Sequence, residues 1–345
     1  MSSTAFWPRW RSPERRPAKR TVAQYTRVSR RGEPEFDGRV YVNLDDLVRL
    51  QFGASGFSFL PRQPIHSVLA GRHASRLRGR GLNFEELRNY LPGDDIRNID
   101  WKVTARMETP HVRVYTEERD RCVWLLVDQR LPMFFGSRWK MKSVVAAEAA
   151  AAAAWRVLAV KDRVGALVFN DREIRAIPPH RSRERVMQIL RDVVAMNHEL
   201  RADSDGQPRP DMLNRVLGQV AAVARHDCLI VLISDGYGID NETPRFITRL
   251  TAHNDVLSLF VFDPLERELG NAGRLPFSDG ARHLEVDTGK AGLRDDFRED
   301  FDARLTLMEA TSRRYAMPFL KLDTSQPLLE QVRAQLGYHP GARRY

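Results

Sequence analysis

The chain has 345 residues, of which 42% are hydrophobic and 29% are charged, so it is long enough to bury a large core in one or two domains. Its net charge of +10 is uneven, because residues 1–40 hold 10 Lys and Arg against 4 Asp and Glu, whereas the remaining residues hold 45 against 41. The folded part is therefore nearly neutral, and the two cysteines exclude a disulfide framework.

Residues 1–38 are basic, contain proline and show little apolar periodicity, which indicates a mostly disordered tail. Such a tail either is simply solvated or makes weak contacts with nucleic acid, anionic lipid or an acidic partner, and we favour the solvated tail. It lacks the apolar core of a secretory signal. These features predict a cytoplasmic protein with no membrane span and with reduced thiols at Cys122 and Cys228.

The predicted elements begin in an accessory region, residues 39–120. Residues 39–52 are typical of a short strand or turn that leads into an amphipathic helix, and a stretch containing Gly, Ser and Pro follows to about residue 71. Charges of both signs then dominate, and residues 110–118 alternate as a strand does. We therefore expect a small, charged, β-containing region before the main domain.

Residues 121–345 have the pattern of an α/β domain. The predicted strands are 122–128, 163–171 with a hairpin partner at 172–178, 228–236, 255–264 and 318–323. The predicted helices are 144–160, 182–197, 211–226, 243–253, 291–317 and 327–336. Because nearly continuous apolar strands alternate with helices, we predict a doubly wound, mainly parallel sheet.

Two of these strands end in an acid, Asp128 after VWLLV and Asp235 after LIVLIS. The strand LLVDQRLPMFFG, the later ISDG and this strand order resemble the von Willebrand factor A domain, a Rossmann-like fold. In that family the first strand ends in Asp-x-Ser-x-Ser and later loops supply a Thr and an Asp, which together form a metal-ion-dependent adhesion site. Here Arg130 and Pro132 stand at the two serine positions.

The resemblance therefore implies an adhesion site that has lost its metal. Arg130 brings a positive charge where a cation would sit, and an ion pair with Asp128 or with Asp235 would replace the metal electrostatically. We expect no metal and no cofactor, and we do not favour residual Mg²⁺ binding, because too few oxygen ligands remain. In the nearby loop VFDPLERELG we expect Glu266, Arg267 and Glu268 to be exposed.

A second resemblance covers residues 40–340. GRGLNFEELRNYLPGDDIRNIDWKVTAR, KSVVAAEAAA, DRVGALVFND, VFDPLERELG and EVDTG are similar to the bacterial family called "domain of unknown function 58". That family has a von Willebrand A-like domain, and its genes commonly neighbour those of MoxR-type AAA+ ATPases. The resemblance implies an adaptor or co-chaperone that helps such an ATPase to assemble or mature a client protein.

The string PGDDIRNIDW carries the family motif. Its candidate residues are Pro92, Gly93, Asp94, Asp95, Arg97, Asp100 and Trp101. One interpretation is structural: the proline and glycine make a tight turn, and the acids cap backbone amides. A buried or half-buried ion-pair network, with Trp101 as its anchor, then holds this region against the A-like domain. The other interpretation is a docking surface, because Trp and Arg are enriched in binding hot spots. We favour the structural interpretation.

Enzymatic functions receive little support from the sequence. The chain has no Walker A string, nucleophile elbow, His-Glu-x-x-His motif or evident triad. We therefore predict a non-enzymatic protein-interaction module in which Asp128, Arg130 and Asp235 form a partner-binding rim. The alternatives are nucleic-acid or anionic-surface binding by the basic tail, and a cryptic hydrolase built around the acids of the family motif.

Overall fold

The computed structural model describes residues 26–28, 34–54, 82–92, 94–117, 120–201, 207–269, 273–278, 283–289 and 291–336. These residues belong to two compact units. The sheet unit comprises the described residues up to Ala54 and from Arg121 onward, and the accessory unit comprises those from 82 to 120. Among the described residues, no helix has the length and hydrophobicity that a membrane span requires.

The strands and helices are numbered in the order of the chain. The strands of the described ranges are β1 (Thr26–Val28), β2 (Pro34–Phe36), β3 (Leu82–Asn89), β4 (His111–Glu117), β5 (Cys122–Asp128), β6 (Arg163–Phe169), β7 (Ile174–His180), β8 (Cys228–Ser234), β9 (Asp255–Phe262), β10 (Arg274–Ser278), β11 (His283–Asp287) and β12 (Phe319–Asp323). The α-helices of these ranges are α1 (Leu44–Gly53), α2 (Trp101–Met107), α3 (Lys142–Ala159), α4 (Arg183–His198), α5 (Asp211–Val223), α6 (Thr243–Thr251), α7 (Pro264–Arg267), α8 (Ala291–Arg314) and α9 (Leu328–Leu336).

A six-stranded sheet in the order β12-β9-β8-β5-β6-β7 forms the centre of the sheet unit. Its strands are parallel except β7, which pairs antiparallel with β6 at one edge. The turn between these two strands is an Asx turn, because the Asn170 side chain accepts hydrogen bonds from the amides of Arg172 and Glu173. The structure confirms the predicted mainly parallel α/β sheet and the predicted hairpin.

Helices cover both faces of the sheet. Side chains alternate along β5, so Leu125 packs in a hydrophobic cluster with α1, α3, α4 and α9, whereas Leu126 packs in a second cluster with α5 and α6. A third, smaller hydrophobic cluster contains Phe301 of α8 and Phe260 of β9. Because both faces are covered, the parallel strands are apolar along nearly their whole length.

The sequence prediction placed residues 39–120 in one accessory region, and this boundary is wrong for α1. Leu47 of α1 is fully buried in the core beside α3, and the indole Nε1 of Trp155 donates a 3.0 Å hydrogen bond to its carbonyl oxygen. The apolar face of α1 therefore completes the core of the sheet unit. The accessory unit ends at Asp120, and the sheet unit resumes at Arg121.

The accessory unit is built on an antiparallel pair of strands, β3 and β4, with a register shift between Phe84 and Glu86. Residues Ile96–Asn98 form one 3₁₀ turn that leads into the short helix α2. Of the predicted tail, β1 and β2 form a small antiparallel pair, which differs from the expected disorder, and the rest of residues 1–36 lies outside the described residues. The sequence analysis also missed the antiparallel pair of β10 and β11.

Candidate functional site

Three acidic residues lie at the carboxyl ends of neighbouring parallel strands. Asp128 ends β5, Asp235 follows β8, and Asp263 follows β9. The chain leaves β5 towards β6 on one side and leaves β8 towards β9 on the other, so the strand order changes direction between β5 and β8. Ligands of open α/β sheets bind at such switch points, which makes this edge the candidate site.

Arg130 fills the space in front of Asp128. Its Nε and Nη2 atoms donate hydrogen bonds of 3.0 and 2.7 Å to the two carboxylate oxygens of Asp128, and both side chains are fully buried. Ser234 Oγ donates a further 2.7 Å hydrogen bond to Asp128, and Nη2 of Arg130 also donates to the carbonyl oxygen of Tyr237. The guanidinium lies over the ring of Phe169 at 5.3 Å from its centroid. This bidentate pair is one of the two ion pairs that the sequence predicted.

Lys142, the first residue of α3, is the second buried cation of this edge. Its Nζ donates hydrogen bonds of 2.8 Å to Asp235 and 2.9 Å to Glu266. Glu266 also accepts a 3.2 Å hydrogen bond from Nη2 of Arg304 on α8. The cluster of these four residues, which we call the lysine cluster, balances two cations against two carboxylates, as buried charges require.

The electrostatics keep these groups charged. Burial opposes the charge of Arg130, but the Asp128 carboxylate outweighs it and raises the pKa of Arg130 above its ordinary value. Burial likewise opposes the charge of Lys142, but Asp235 and Glu266 raise its pKa. Burial alone would raise the pKa of Asp235, but Lys142, Arg304 and Arg130 lower it far below its usual range. The ion pairs therefore persist across neutral pH.

Asp263, the third acid, binds neutral donors. It accepts hydrogen bonds from the backbone amide and hydroxyl of Ser137, from the hydroxyl of Thr324 at 2.6 Å and from the amide of Leu265 at 2.8 Å. With Glu266 it forms a capping box at the start of α7. Asp263 therefore holds together the loops after β5, β9 and β12.

The arrangement leaves little for a divalent ion to bind. Both oxygens of Asp128 accept hydrogen bonds from Arg130, and Asp235 faces the Lys142 ammonium, so side-chain cations stand where a metal would need open carboxylate oxygens. Among the described residues, no group of three or more His, Cys, Asp and Glu side chains is placed to hold a metal. The donor set does not fit a Mg²⁺ site.

The predicted partner-binding rim is wrong, because its side chains are buried. The structure brings Asp128, Arg130 and Asp235 to one edge, as predicted, but their exposed fractions are 0, 0 and 1%. A partner cannot touch side chains that are buried and paired with one another. These three residues hold the loops in place, and Tyr237, whose ring also lies near Arg130, is one of the residues that cover them.

Sequence reasoning missed Lys142 and wrongly expected Glu266 to be exposed. Glu266 is only 6% exposed because its carboxylate turns inward to Lys142 and Arg304. One signal in the sequence pointed to Lys142. A lysine at the first position of a helix opposes the helix dipole, so its presence in the otherwise apolar start of α3 indicates a specific acidic partner.

Two of the three acids of the family motif form ion pairs within the accessory unit. Asp94 accepts two hydrogen bonds from Arg88, which lower its pKa, and Asp100 pairs with Arg113 and caps the start of α2. Asp95 caps the preceding 3₁₀ turn. All three acids accept hydrogen bonds from backbone amides, as predicted, and Asp94 and Asp100 also form the predicted ion pairs. These two paired acids are therefore not an unpaired catalytic cluster.

Trp101 does not serve as the anchor of the ion-pair network that the sequence analysis favoured. Its side chain is 70% exposed, because α2 is held through Asp100 at its N-cap and the ring at the first helical position points away. Arg97 is also exposed. Pro92 is exposed in the preceding turn, and Gly93 lies outside the described residues.

The fold and the site together define a class: an α/β protein whose sheet switch point is closed by its own buried ion pairs. The chain belongs to the family described as "Protein of unknown function DUF58", whose model matches residues 86–306. This match confirms the family that the second resemblance indicated. It spans parts of both the accessory unit and the sheet unit.

Relatives in mycobacteria are similar over most of the chain. "Uncharacterized protein Rv1480" of Mycobacterium tuberculosis and "Uncharacterized protein Mb1516" of Mycobacterium bovis are each 30% identical to it over 282 residues, which is 79% of this chain and 84% of each relative. Among solved structures, the conserved hypothetical protein BatB from Bacteroides thetaiotaomicron matches with a TM-score of 0.34 and 12% identity, over 62% of this chain and 98% of BatB.

Proposed function

We propose that this protein is a non-enzymatic interaction module, an adaptor or co-chaperone that links a MoxR-type AAA+ ATPase to a client protein. The observation that carries the proposal is a segment with exposed apolar and cationic side chains, residues 96–107, which begins within the family motif and continues to the end of α2. We call it the docking segment. The ATPase as partner is taken from the family resemblance, and the docking segment supports a protein partner of matching chemistry.

We also infer that the sheet unit is a von Willebrand A-like domain that works without a metal. The acids at the ends of β5 and β8, together with Arg130 at the first serine position, support this inference. In the proposed arrangement Arg130 and Lys142 supply the positive charge that a divalent ion supplies in the adhesion site. The domain then serves as a rigid support, and the partner binds at another surface.

The docking segment is apolar where an interface core should be. Ile96, Trp101 and Met107 are 64, 70 and 60% exposed, although side chains of this size are usually at least half-buried. Trp101 and Met107 are the first and last residues of α2, which spans about 10 Å, and Ile96 lies in the 3₁₀ turn before it. Trp and Met are among the residues enriched in protein interfaces, and Trp is the residue that most often dominates binding energy.

The positive charges of the docking segment favour a partner with an acidic surface. Arg97, Lys102 and Arg106 are exposed, and within the described part of the chain their side chains form no ion pair. A partner surface with an apolar pocket rimmed by Asp and Glu would match both features. Trp101 is the single aromatic side chain beside Ile96 and Met107. This favours a protein over a nucleic acid, because bases bind by stacking on several aromatic side chains.

The test is a binding titration between the full chain and the purified MoxR-type ATPase of the same organism, with and without ATP. We expect Trp101→Ala to weaken binding at least tenfold, because truncating a hot-spot residue costs about 2 kcal/mol or more. Phe52→Ala is the matched control, since Phe52 on α1 is also exposed, at 78%, but lies outside the docking segment. The double variant Lys102→Glu and Arg106→Glu should weaken binding most at low salt.

Each outcome addresses one part of the proposal. If Trp101→Ala leaves the affinity for the ATPase unchanged, the ATPase remains the partner but the docking segment is not its binding site. If the ATPase does not bind under any nucleotide condition, the partner is wrong, and Trp101-dependent binding of single-stranded RNA or DNA would indicate the nucleic-acid class instead. Because the proposed partner consumes ATP, the proposal includes a cytoplasmic location for the complex.

A further inference from the structure

The two cysteines of the chain lie side by side at the edge of the sheet opposite the candidate site. Cys122 is the first residue of β5 and Cys228 is the first residue of β8, and they are direct partners in the parallel register of these strands. Neither forms a disulfide, Cys228 is buried and Cys122 is half-buried. Paired residues of adjacent parallel strands point to the same face, and both thiols accordingly pack in the cluster under α5 and α6.

The spacing of the strands suits a covalent bond between the two sulfur atoms. Adjacent strands lie about 4.8 Å apart, and a disulfide accepts Cα separations of about 4.4 to 6.8 Å. The Cβ atoms of a directly paired couple lie farther apart than the roughly 3.8 Å that a relaxed disulfide prefers. A bond formed here would therefore be strained, and strained disulfides are readily reduced.

The surroundings of the pair favour a thiolate. A hydrogen bond from the Cys122 thiol lowers the pKa of Cys228 to about 7, against the opposing effect of burial, and Arg163 and Arg121 act in the same direction. Asp227 acts against them, and Cys228 Sγ also lies 3.6 Å from the carbonyl oxygen of His226. A substantial fraction of the pair is therefore ionised at neutral pH, and thiolates are the species that oxidants attack.

We propose that Cys122 and Cys228 form a reversible dithiol–disulfide pair that responds to hydroperoxides. A thiolate of the pair attacks one peroxide oxygen, the O–O bond breaks, and the other oxygen leaves as water or alcohol, so that a sulfenic acid forms. The second thiol loses its proton and its sulfur attacks the sulfenic sulfur, which releases water and closes the disulfide. The two thiols lose two protons and two electrons, and the peroxide accepts both.

The pair joins the same two strands that carry Asp128 and Asp235 at their other ends. Oxidation would therefore tie β5 to β8 at one end while the buried ion pairs hold their loops at the other. This inference rests on the register and environment of the two cysteines alone, so it is independent of the proposed ATPase partner.

The test treats the reduced full chain with hydrogen peroxide under native conditions, followed by a thiol count and an intact mass. We expect both thiols to disappear together, the monomer mass to fall by two hydrogens, and dithiothreitol to restore both thiols. Cys122→Ala is the matched variant, because it keeps the buried thiol but removes its hydrogen bond. Its Cys228 should react roughly tenfold more slowly at pH 7, since its pKa would return towards about 8.5, and it should form no disulfide within the monomer.

Two results would overturn the proposal. In the first, Cys122 gains oxygen atoms while Cys228 keeps its thiol, so that no cross-link closes. In the second, both thiols react only after the chain is unfolded. Circular dichroism of Cys122→Ala before oxidation shows whether the variant is folded, and Cys122→Ser provides a second variant that keeps a hydrogen-bond donor at this position.

Discussion

At the scale of single residues, the buried pair of Arg130 and Asp128 determines what the candidate site can do. Taking two charges out of water is costly, and their attraction offsets that cost only when the geometry is good and the remaining donors and acceptors are satisfied. Here the pairing is bidentate, and Ser234 and the Tyr237 carbonyl satisfy further atoms. The intact ion pair is therefore compatible with a stable fold, whereas removal of either partner should destabilise the protein.

Arg130→Met should destabilise the protein by about 3 to 5 kcal/mol, because it leaves the Asp128 carboxylate buried without its cation. Urea unfolding followed by circular dichroism measures this change. Arg49→Met is the matched control, since Arg49 pairs with Asp46 on the exposed side of α1, where such pairs contribute about 1 kcal/mol or less.

A double variant distinguishes pairing from packing. Asp128→Asn combined with Arg130→Met should be more stable than Arg130→Met alone, because it removes the uncompensated charge. If the double variant is instead less stable by the sum of the two single changes, the loss came from packing, and the ion pair is not what holds this edge.

At the scale of elements, helix α3 shows how composition sets the distance between a helix and the sheet. Its nine alanines include Ala150 and Ala153, which are fully buried between the sheet and the helices beside it. Alanine has the highest helix propensity and the smallest side chain that keeps it, so the helix is stable and lies close to the strands. The structure confirms the helix predicted at 144–160 and buries most of its alanines in the core.

Ala150→Leu should destabilise the protein by about 1 to 3 kcal/mol, because the added methyl groups have no room in a closely packed layer. Ala222→Leu on α5 is the matched control, since Ala222 is exposed and leucine is nearly as good a helix former as alanine. Thermal unfolding of both variants checks this prediction, and equal melting temperatures would show that α3 has space beside it.

At the scale of the whole molecule, the lysine cluster joins elements that are distant in sequence. It ties the start of α3 to the loop after β8, to α7 and to α8. A change in its ionisation therefore affects the stability of the entire sheet unit rather than one loop. We expect this to appear in the dependence of unfolding on pH.

The pKa of Asp235 is lowered in the folded protein, so its contribution to stability is present above its unfolded pKa of about 3.9 and is lost as the pH falls below it. The pKa of Lys142 is raised, so its contribution is present below about pH 10.4 and is lost as the pH rises above it. The free energy of unfolding lost in Asp235→Asn should accordingly be constant from pH 7 to 5 and shrink by about 1.4 kcal/mol per pH unit below 3.9.

Urea titrations of the wild type and of Asp235→Asn between pH 7 and 3 measure this difference. Asp302→Asn provides the control, because Asp302 is exposed on α8 and should show a small difference at every pH. A difference for Asp235→Asn that stays constant down to pH 3 would mean that the lysine cluster does not couple to acid unfolding.

The sequence by itself determined the parallel strands, most of the helices and the two acids at the strand ends. These features are local: an apolar run of seven residues specifies a strand buried on both faces, and the edge at which parallel strands end follows from their direction. The family membership was likewise visible in contiguous strings such as PGDDIRNIDW, which the family match confirms.

Only the tertiary structure decided which charges meet and which side chains face water. Lys142 and Asp235 are 93 residues apart, and Lys142 and Glu266 are 124 residues apart, so no local pattern indicates that they pair. The burial of α1 in the sheet unit and the exposure of Trp101 depend equally on surfaces built from separate parts of the chain. Periodicity identifies an element and its apolar face, but the partner of that face is fixed by packing across the whole fold.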